Sequence, residues 1–270
     1  GGKVRDKVRC YIHINGDTPE LLYNDAKKAV NEGFSAVRFS AFAPNHWLHK
    51  SYSKWSNEAV ERVKAVRESV GPDIDICVEI HRQMNPTESV ALGRRLEQFN
   101  PYFYEDPMLP DSPAIMADIK KSINIPIATG ERFSTIFEYQ QLLENKGCDF
   151  VRPDVCLCGG LSGSKKVASI AESYHVKVIP HNPLSPISTA ACVQLDACIP
   201  NFALQEYTGE SEPPKSELLL NKLKLEKGYL LVPNEPGLGI TLNEESISKY
   251  PFQEKILDTP ISDDGSVADF

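Results

Sequence analysis

The chain has 270 residues, of which 41% are hydrophobic and 24% charged, and a formal net charge of −8. That length carries a full core without staples, as one large α/β barrel or two smaller domains. The acidic balance excludes nucleic acid and anionic membrane surfaces as partners, but not an anionic small molecule, because a bound divalent cation reverses the local field.

The opening GGKVRDKVR reads as a linker entering a strand and not as a natural N-terminus, so a part upstream is expected. Residues 8–15 predict a strand, 18–32 a helix with Thr18 as N-cap and Glu20 in its first turn, and 36–42 a second strand. A helix over 57–70, stopped by Gly71-Pro72, leads to a strand over 74–80. The same alternation continues with a helix at 87–99, strand 102–105, helix 112–121, strand 125–129 and helix 136–146. It ends with a strand around 150–151, helix 164–174, strand 177–180, helix 186–198 and a last strand at 202–207.

Eight strand runs separated by seven helices predict parallel βαβ units closed into a TIM-type (β/α)7β barrel. An open doubly wound sheet fits less well, since it usually has fewer strands and no GxGxxG follows the first one here. Residues 1–207 are expected to form the barrel and its catalytic site. Residues 208–270 are broken by Pro213, Pro214, Pro233, Pro236 and Pro260, hold one short strand at 228–232, and are expected as a C-terminal extension packing on the barrel. The seven cysteines include no CxxC pair and sit mostly in apolar runs, which predicts small hydrophobic thiols and a reducing, cytoplasmic setting. Nothing reads as a signal peptide, and no apolar run approaches the ~18 residues of a membrane span.

The strand ends carry the chemistry. One ionisable residue arrives per βα unit: Glu79, Glu105, Glu131, Asp154, His181 and Glu206, at spacings of 26, 26, 23, 27 and 25. In a parallel barrel the C-terminal strand ends form one rim, where active sites lie. Adjacent carboxylates repel unless a counter-charge joins them; a hard divalent cation does this, and oxygen-only ligands favour Mg2+. A single Glu at a strand end is ordinarily a solvated rim residue, and a lone His in an apolar run a core residue. The in-phase repetition sets this series apart. His13 at the end of strand one, and Arg132 beside Glu131, are further candidates for holding substrate. His46 and Trp47, after strand two, suit a surface loop equally well. His49 and His175 read as surface residues, and Cys156 and Cys158 as packing.

At these residues the sequence resembles the enolase superfamily, in its mandelate racemase/muconate lactonizing subgroup, and specifically the acid-sugar dehydratases of the galactonate and gluconate type. The stretches that carry the resemblance are Glu79-Ile-His81, Phe103-Tyr-Glu105-Asp-Pro107, Ile127-Ala-Thr-Gly-Glu131-Arg132, Arg152-Pro-Asp154 with Gly159-Gly160, and Ile179-Pro-His181-Asn-Pro183-Leu-Ser-Pro186. It covers residues 8–207, and Pro236-Gly-Leu-Gly-Ile240 is similar to the family's C-terminal segment.

By matching position, the resemblance implies Mg2+ held by Glu79, Glu105 and Glu131, His181 as general base oriented by Asp154, and His81 as general acid. Glu206 would hydrogen-bond the substrate. It also implies a homo-oligomer and a small sugar-acid substrate. The expected reaction is dehydration of an aldonate to a 2-keto-3-deoxy acid. The rival readings are epimerisation of an α-hydroxy acid, with His81 as second base, and a catalytically weak binding or regulatory homologue.

Three departures stand out. Glu79 occupies a position where the family usually has Asp, and the extra methylene moves the carboxylate by about a bond length. Arg38-Phe39-Ser40 stands where racemases carry Lys-x-Lys, which favours one-base elimination. The family's N-terminal α+β capping domain is absent from this chain, and a barrel without that lid is expected to bind metal but turn over slowly.

Overall fold

A computed structural model describes residues 2–44, 46, 51–254 and 259–267; Trp47 and His49 lie outside the described residues. Eight parallel strands form the frame: β1 (Lys7–His13), β2 (Ala36–Ser40), β3 (Asp75–Glu79), β4 (Phe103–Glu105), β5 (Ile127–Thr129), β6 (Phe150–Val151), β7 (Lys177–Val178) and β8 (Gln205–Tyr207). Each of β1 to β6 pairs with the next, and β8 pairs with β1. The ring closes through a parallel bridge between Val178 and Phe202, where the Ala203 N–H donates to the Val178 carbonyl at 2.9 Å. Seven helices separate the strands: α1 (Pro19–Asn31), α2 (Tyr52–Val70), α3 (Pro86–Leu96), α4 (Pro113–Ser122), α5 (Ile136–Glu144), α6 (Gly160–Ser173) and α7 (Pro186–Cys198). This is the (β/α)7β barrel the sequence predicts.

Local chemistry explains the helix starts. Proline opens α1, α3, α4 and α7, where its missing N–H costs nothing. Asn85 and Glu88 form a reciprocal capping box on α3. Two starts differ from the sequence reading. Helix α2 begins at Tyr52 instead of 57 because the Ser51 side chain caps it, accepting from the Lys54 N–H. Helix α6 begins at Gly160 instead of 164. Its glycines read as loop, yet a Cβ on Gly163 would meet the Cys158 carbonyl at 1.8 Å, so glycine is what lets the helix start there.

The barrel interior is filled by one buried residue from each strand or its approach: Tyr11, Ala36, Cys77, Phe103, Ala128, Phe150, Ile179 and Leu204. Side chains two positions apart on a strand share a face. Two positions further on, the same face presents His13, Arg38, Glu79, Glu105, Gly130, Arg152, His181 and Glu206. An apolar plug thus supports a polar ring directly above it, and the strand period alone produces both.

After β8 the chain forms β9 (Leu219–Asn221), β10 (Leu225–Glu226), β11 (Tyr229–Leu231), β12 (Thr241–Leu242) and α8 (Glu244–Lys249). Strand β11 pairs antiparallel with the start of β1, and Leu230 and Val232 bury against Val8, Cys10, Phe34 and Val193. The sequence shows only β11, because two- and three-residue strands and a six-residue helix carry no readable periodicity.

Asp196, on α7, is a buried anomaly. It is fully buried, and neither carboxylate oxygen has a hydrogen-bond partner among the described residues. Burial pushes its carboxyl well above the ordinary 3.8, with Arg5 opposing. A folded-state pKa raised in this way gives stability that is intact below the unfolded value and lost as pH rises towards the folded one. Asp196→Asn is therefore expected to stabilise the protein at pH 7, with the gain shrinking on acidification towards pH 4. Urea denaturation across that range checks this; a gain independent of pH would contradict it.

Candidate active site

The polar ring needs one exception to strand alternation. Gly130 has φ +120°, and a Cβ there would lie 2.9 Å from Tyr139 Cε1; the Tyr139 hydroxyl donates to the Gly130 carbonyl at 2.8 Å. This turn directs Glu131 inward to join Glu79 and Glu105. Arg132, one residue on, is exposed and does not line the cavity, so the structure does not bring it together with the other candidate residues.

Glu79 sits opposite Glu105 in the β3–β4 register. One oxygen from each of Glu79, Glu105 and Glu131 lies within 4.8 Å of the others, and all three residues are buried. Arg38 ion-pairs with Glu79 and lies 3.3 Å from Glu105. Arg152, wholly buried, sits 2.5 Å from Glu105 and 2.7 Å from Glu206, and donates to the Tyr11 hydroxyl at 3.0 Å. Arg82 lies 2.5 Å from Glu131 and 3.2 Å from Asp106.

Even so, negative charge dominates. Burial and the Glu105 carboxylate push Glu79 well above its ordinary range, with Arg38 opposing. Burial, Glu131 and Glu105 push Asp106 up to about 7. Glu105 Oε1 has no aligned hydrogen bond. An oxygen-only set of three convergent, buried carboxylates suits a hard divalent cation.

Two histidine–carboxylate pairs face the same opening. His181 Nδ1 lies 2.7 Å from Asp154, and its Nε2 lies 3.3 Å from Glu131. Asp154 is itself fixed by the Cys156 N–H at 2.7 Å. Burial lowers the His181 pKa, but the Asp154 hydrogen bond, Glu206 and Glu131 outweigh it and hold the ring above its ordinary value. His13 Nε2 lies 2.7 Å from Glu206, whose other oxygen takes the Arg152 guanidinium and the Asn182 N–H. Burial would raise Glu206, but Arg152 and the His13 hydrogen bond hold it well below the carboxylate range.

His81 reaches the cavity by a route the spacing did not suggest. Strand β3 ends at Glu79, and His81 and Arg82 take left-handed φ values of 59° and 67°. Its Nε2 lies 3.0 Å from an Arg82 nitrogen, and burial with Arg82 pushes its pKa down to about 4.

The cavity above the triad has a volume of about 440 Å³. It is lined by His13, Arg38, Glu79, Glu131, His181 and Glu206, and also by Asn15, Phe42, His46, Gln83 and Arg62. His46, left open by the sequence, stacks on Phe42 with ring centroids 4.4 Å apart. Sequence reasoning assigned no role to Arg38, Arg152 or Arg62. The two-residue period counted from the plug would have found the first two. Arg62 comes from a helix and carries no such signal.

Arg152→Ala would leave Glu105 and Glu206 buried without their main counter-charge, and is expected to destabilise the fold by about 3–5 kcal/mol. Chemical denaturation measures this, and a loss below about 1 kcal/mol would contradict it.

A (β/α)7β barrel with a carboxylate triad and histidine–carboxylate pairs at its mouth defines a class of metal-dependent barrel enzymes. Residues 22–246 match the family described as "Enolase C-terminal domain-like", and the chain belongs to the enolase superfamily, in its mandelate racemase/muconate lactonizing branch. It is 29% identical over 292 residues to the "D-galactonate dehydratase family member RspA" of Halomonas elongata, covering 99% of this chain and 72% of that protein. It is 34% identical over 256 residues to the "D-gluconate dehydratase" of Thermoproteus tenax, covering 93% of this chain and 51% of that protein. A solved enolase from Agrobacterium radiobacter, described as a putative galactarate dehydratase bound to sodium and L-malate, superposes with a TM-score of 0.91 at 29% identity. That match covers 99% of this chain and 72% of the other. Among the described residues, no helix is long and apolar enough to cross a membrane.

Proposed function

We propose that this chain carries the site of a magnesium-dependent sugar-acid dehydratase, converting an aldonate-type acid to a 2-keto-3-deoxy acid. The observation that carries the reading is the His181–Asp154 pair, 2.7 Å apart, whose free ring nitrogen stands 3.3 Å from Glu131 of the carboxylate triad. In this reading Glu79, Glu105 and Glu131 hold Mg2+. When bound there, the ion supplies positive charge beside the substrate carboxylate and lowers the cost of removing its α-proton.

His181 takes that proton on Nε2, because Nδ1 is committed to Asp154, which fixes the tautomer and makes the ring more basic. Glu206, kept ionised by Arg152 and His13, accepts a hydrogen bond from substrate, and His13 orients it. His81 gives the proton with which the β-hydroxyl departs as water. The products balance: one hydrogen leaves the α-carbon, one hydroxyl leaves the β-carbon, and the enol so formed becomes the keto acid.

The relatives named as galactonate and gluconate dehydratases support this reaction class. A screen of aldonates with Mg2+, read by formation of 2-keto-3-deoxy acids, tests it; no turnover of any sugar acid with metal bound would contradict it. A second reading, epimerisation, draws on the His13–Glu206 pair as a base other than His181. It predicts inversion at the α-carbon without loss of water.

A further inference from the structure

We propose that Arg62 makes this site selective for a sugar diacid, an acid whose end remote from the triad carries a second carboxylate. The inference rests on the sugar-acid reading above and names its substrate class.

Arg62 is 3% exposed and lines the cavity, although it comes from α2 in the outer layer. Its guanidinium donates to the Asp17 carbonyl at 3.1 Å and to the Ser40 carbonyl at 3.4 Å, and its Nε has no partner. The carboxylates that act on it at a distance, Asp17 and Glu58, are exposed, and neither is ion-paired with it. The other guanidiniums around the site differ: Arg38, Arg82 and Arg152 each meet two carboxylates.

A purely structural arginine on the same helix shows the contrast. Arg67 spends its donors on four backbone carbonyls, those of Phe99, Gly71, Ile74 and Asn100. Arg62 makes half as many such bonds and keeps donor capacity and full charge beside the cavity. A buried cation without an anion is costly, and its planar fork is shaped for a carboxylate.

Position supplies the rest. Of the carbonyls that hold Arg62, that of Asp17 follows β1 and that of Ser40 ends β2, beside Glu79 on β3, whereas Glu131 and His181 follow β5 and β7 on the other side of the barrel mouth. A sugar acid with its reacting carboxylate at the triad directs its far carbon away from β5 and β7, towards Arg62. A primary hydroxyl there leaves the guanidinium without an anion, and a carboxylate completes it.

The test compares a hexarate with the hexonate of the same stereochemistry, on the intact protein with Mg2+, by equilibrium binding and by keto-acid formation. The wild type is expected to bind the hexarate at least about 100-fold more tightly, and Arg62→Met to bring the two within about 10-fold. Arg62→Lys should keep part of the preference. Equal binding by the wild type overturns the inference, as does a preference that Arg62→Met leaves intact. The wild-type comparison stands even where a variant fails to fold. Preferential hexarate binding with neither acid dehydrated would sink the dehydratase reading and leave the Arg62 assignment standing. Dehydration of hexonates with no hexarate preference would do the reverse.

Discussion

Replacing His181 with Asn is expected to abolish exchange of the substrate α-proton with solvent deuterium and to lower kcat by about 10²–10⁴-fold. The two-nitrogen geometry requires this. One nitrogen is committed to Asp154 at 2.7 Å and the other stands beside Glu131, so no second side chain in the pair can take the proton. His81→Asn is expected to behave differently, keeping exchange and losing elimination, because the acid acts on the leaving hydroxyl and not on the α-carbon. Exchange followed by NMR alongside a keto-acid assay separates the steps. If both variants kept both activities, the roles given to His181 and His81 would be wrong.

Glu105→Gln is expected to weaken divalent metal binding by at least about 100-fold, read by calorimetry with Mg2+ or by the spin-resonance signal of Mn2+. Glu105 is the middle of the triad: it sits in register with Glu79 on β3, and it takes Arg38 at 3.3 Å and Arg152 at 2.5 Å. The amide keeps the shape and removes the charge, so the change isolates electrostatics from packing. Loss of the carboxylate also leaves two guanidiniums facing a neutral group, which adds repulsion at the place where the cation binds. Metal affinity unchanged in Glu105→Gln would mean that the triad is an ion-pair network and not a cation site.

The barrel was legible in the sequence because a strand–helix repeat leaves both hydrophobic periods and caps in plain view. Thr18 announces its helix, and the rim residues recur at one per unit. The short segments of the extension were not legible, since β9, β10 and β12 are too brief to establish a period. Within the site, the carboxylates and His181 follow from phase. Adjacency in sequence did not carry over to the cavity for Arg132, which is exposed where Glu131 is buried. His81 is carried to the cavity by a left-handed turn, which no strand period announces. The arginines were the main omission. Opposite charges within a carboxylate rim are required by the cost of burying like charges together, and counting two residues up from the plug places Arg38 and Arg152 in it. Arg62 arrives from an outer helix through tertiary packing, which no local pattern encodes.

The central claim is that this rim removes a proton from the α-carbon of a sugar acid when a divalent cation is present. The most direct measurement is proton NMR of a panel of aldonates and aldarates incubated in D2O with the intact protein and Mg2+. At least one acid is expected to lose its C2 proton signal and gain the signals of a 3-deoxy carbon carrying deuterium, and removing Mg2+ with a chelator is expected to stop both. Bound metal with every acid retaining its C2 proton would contradict it.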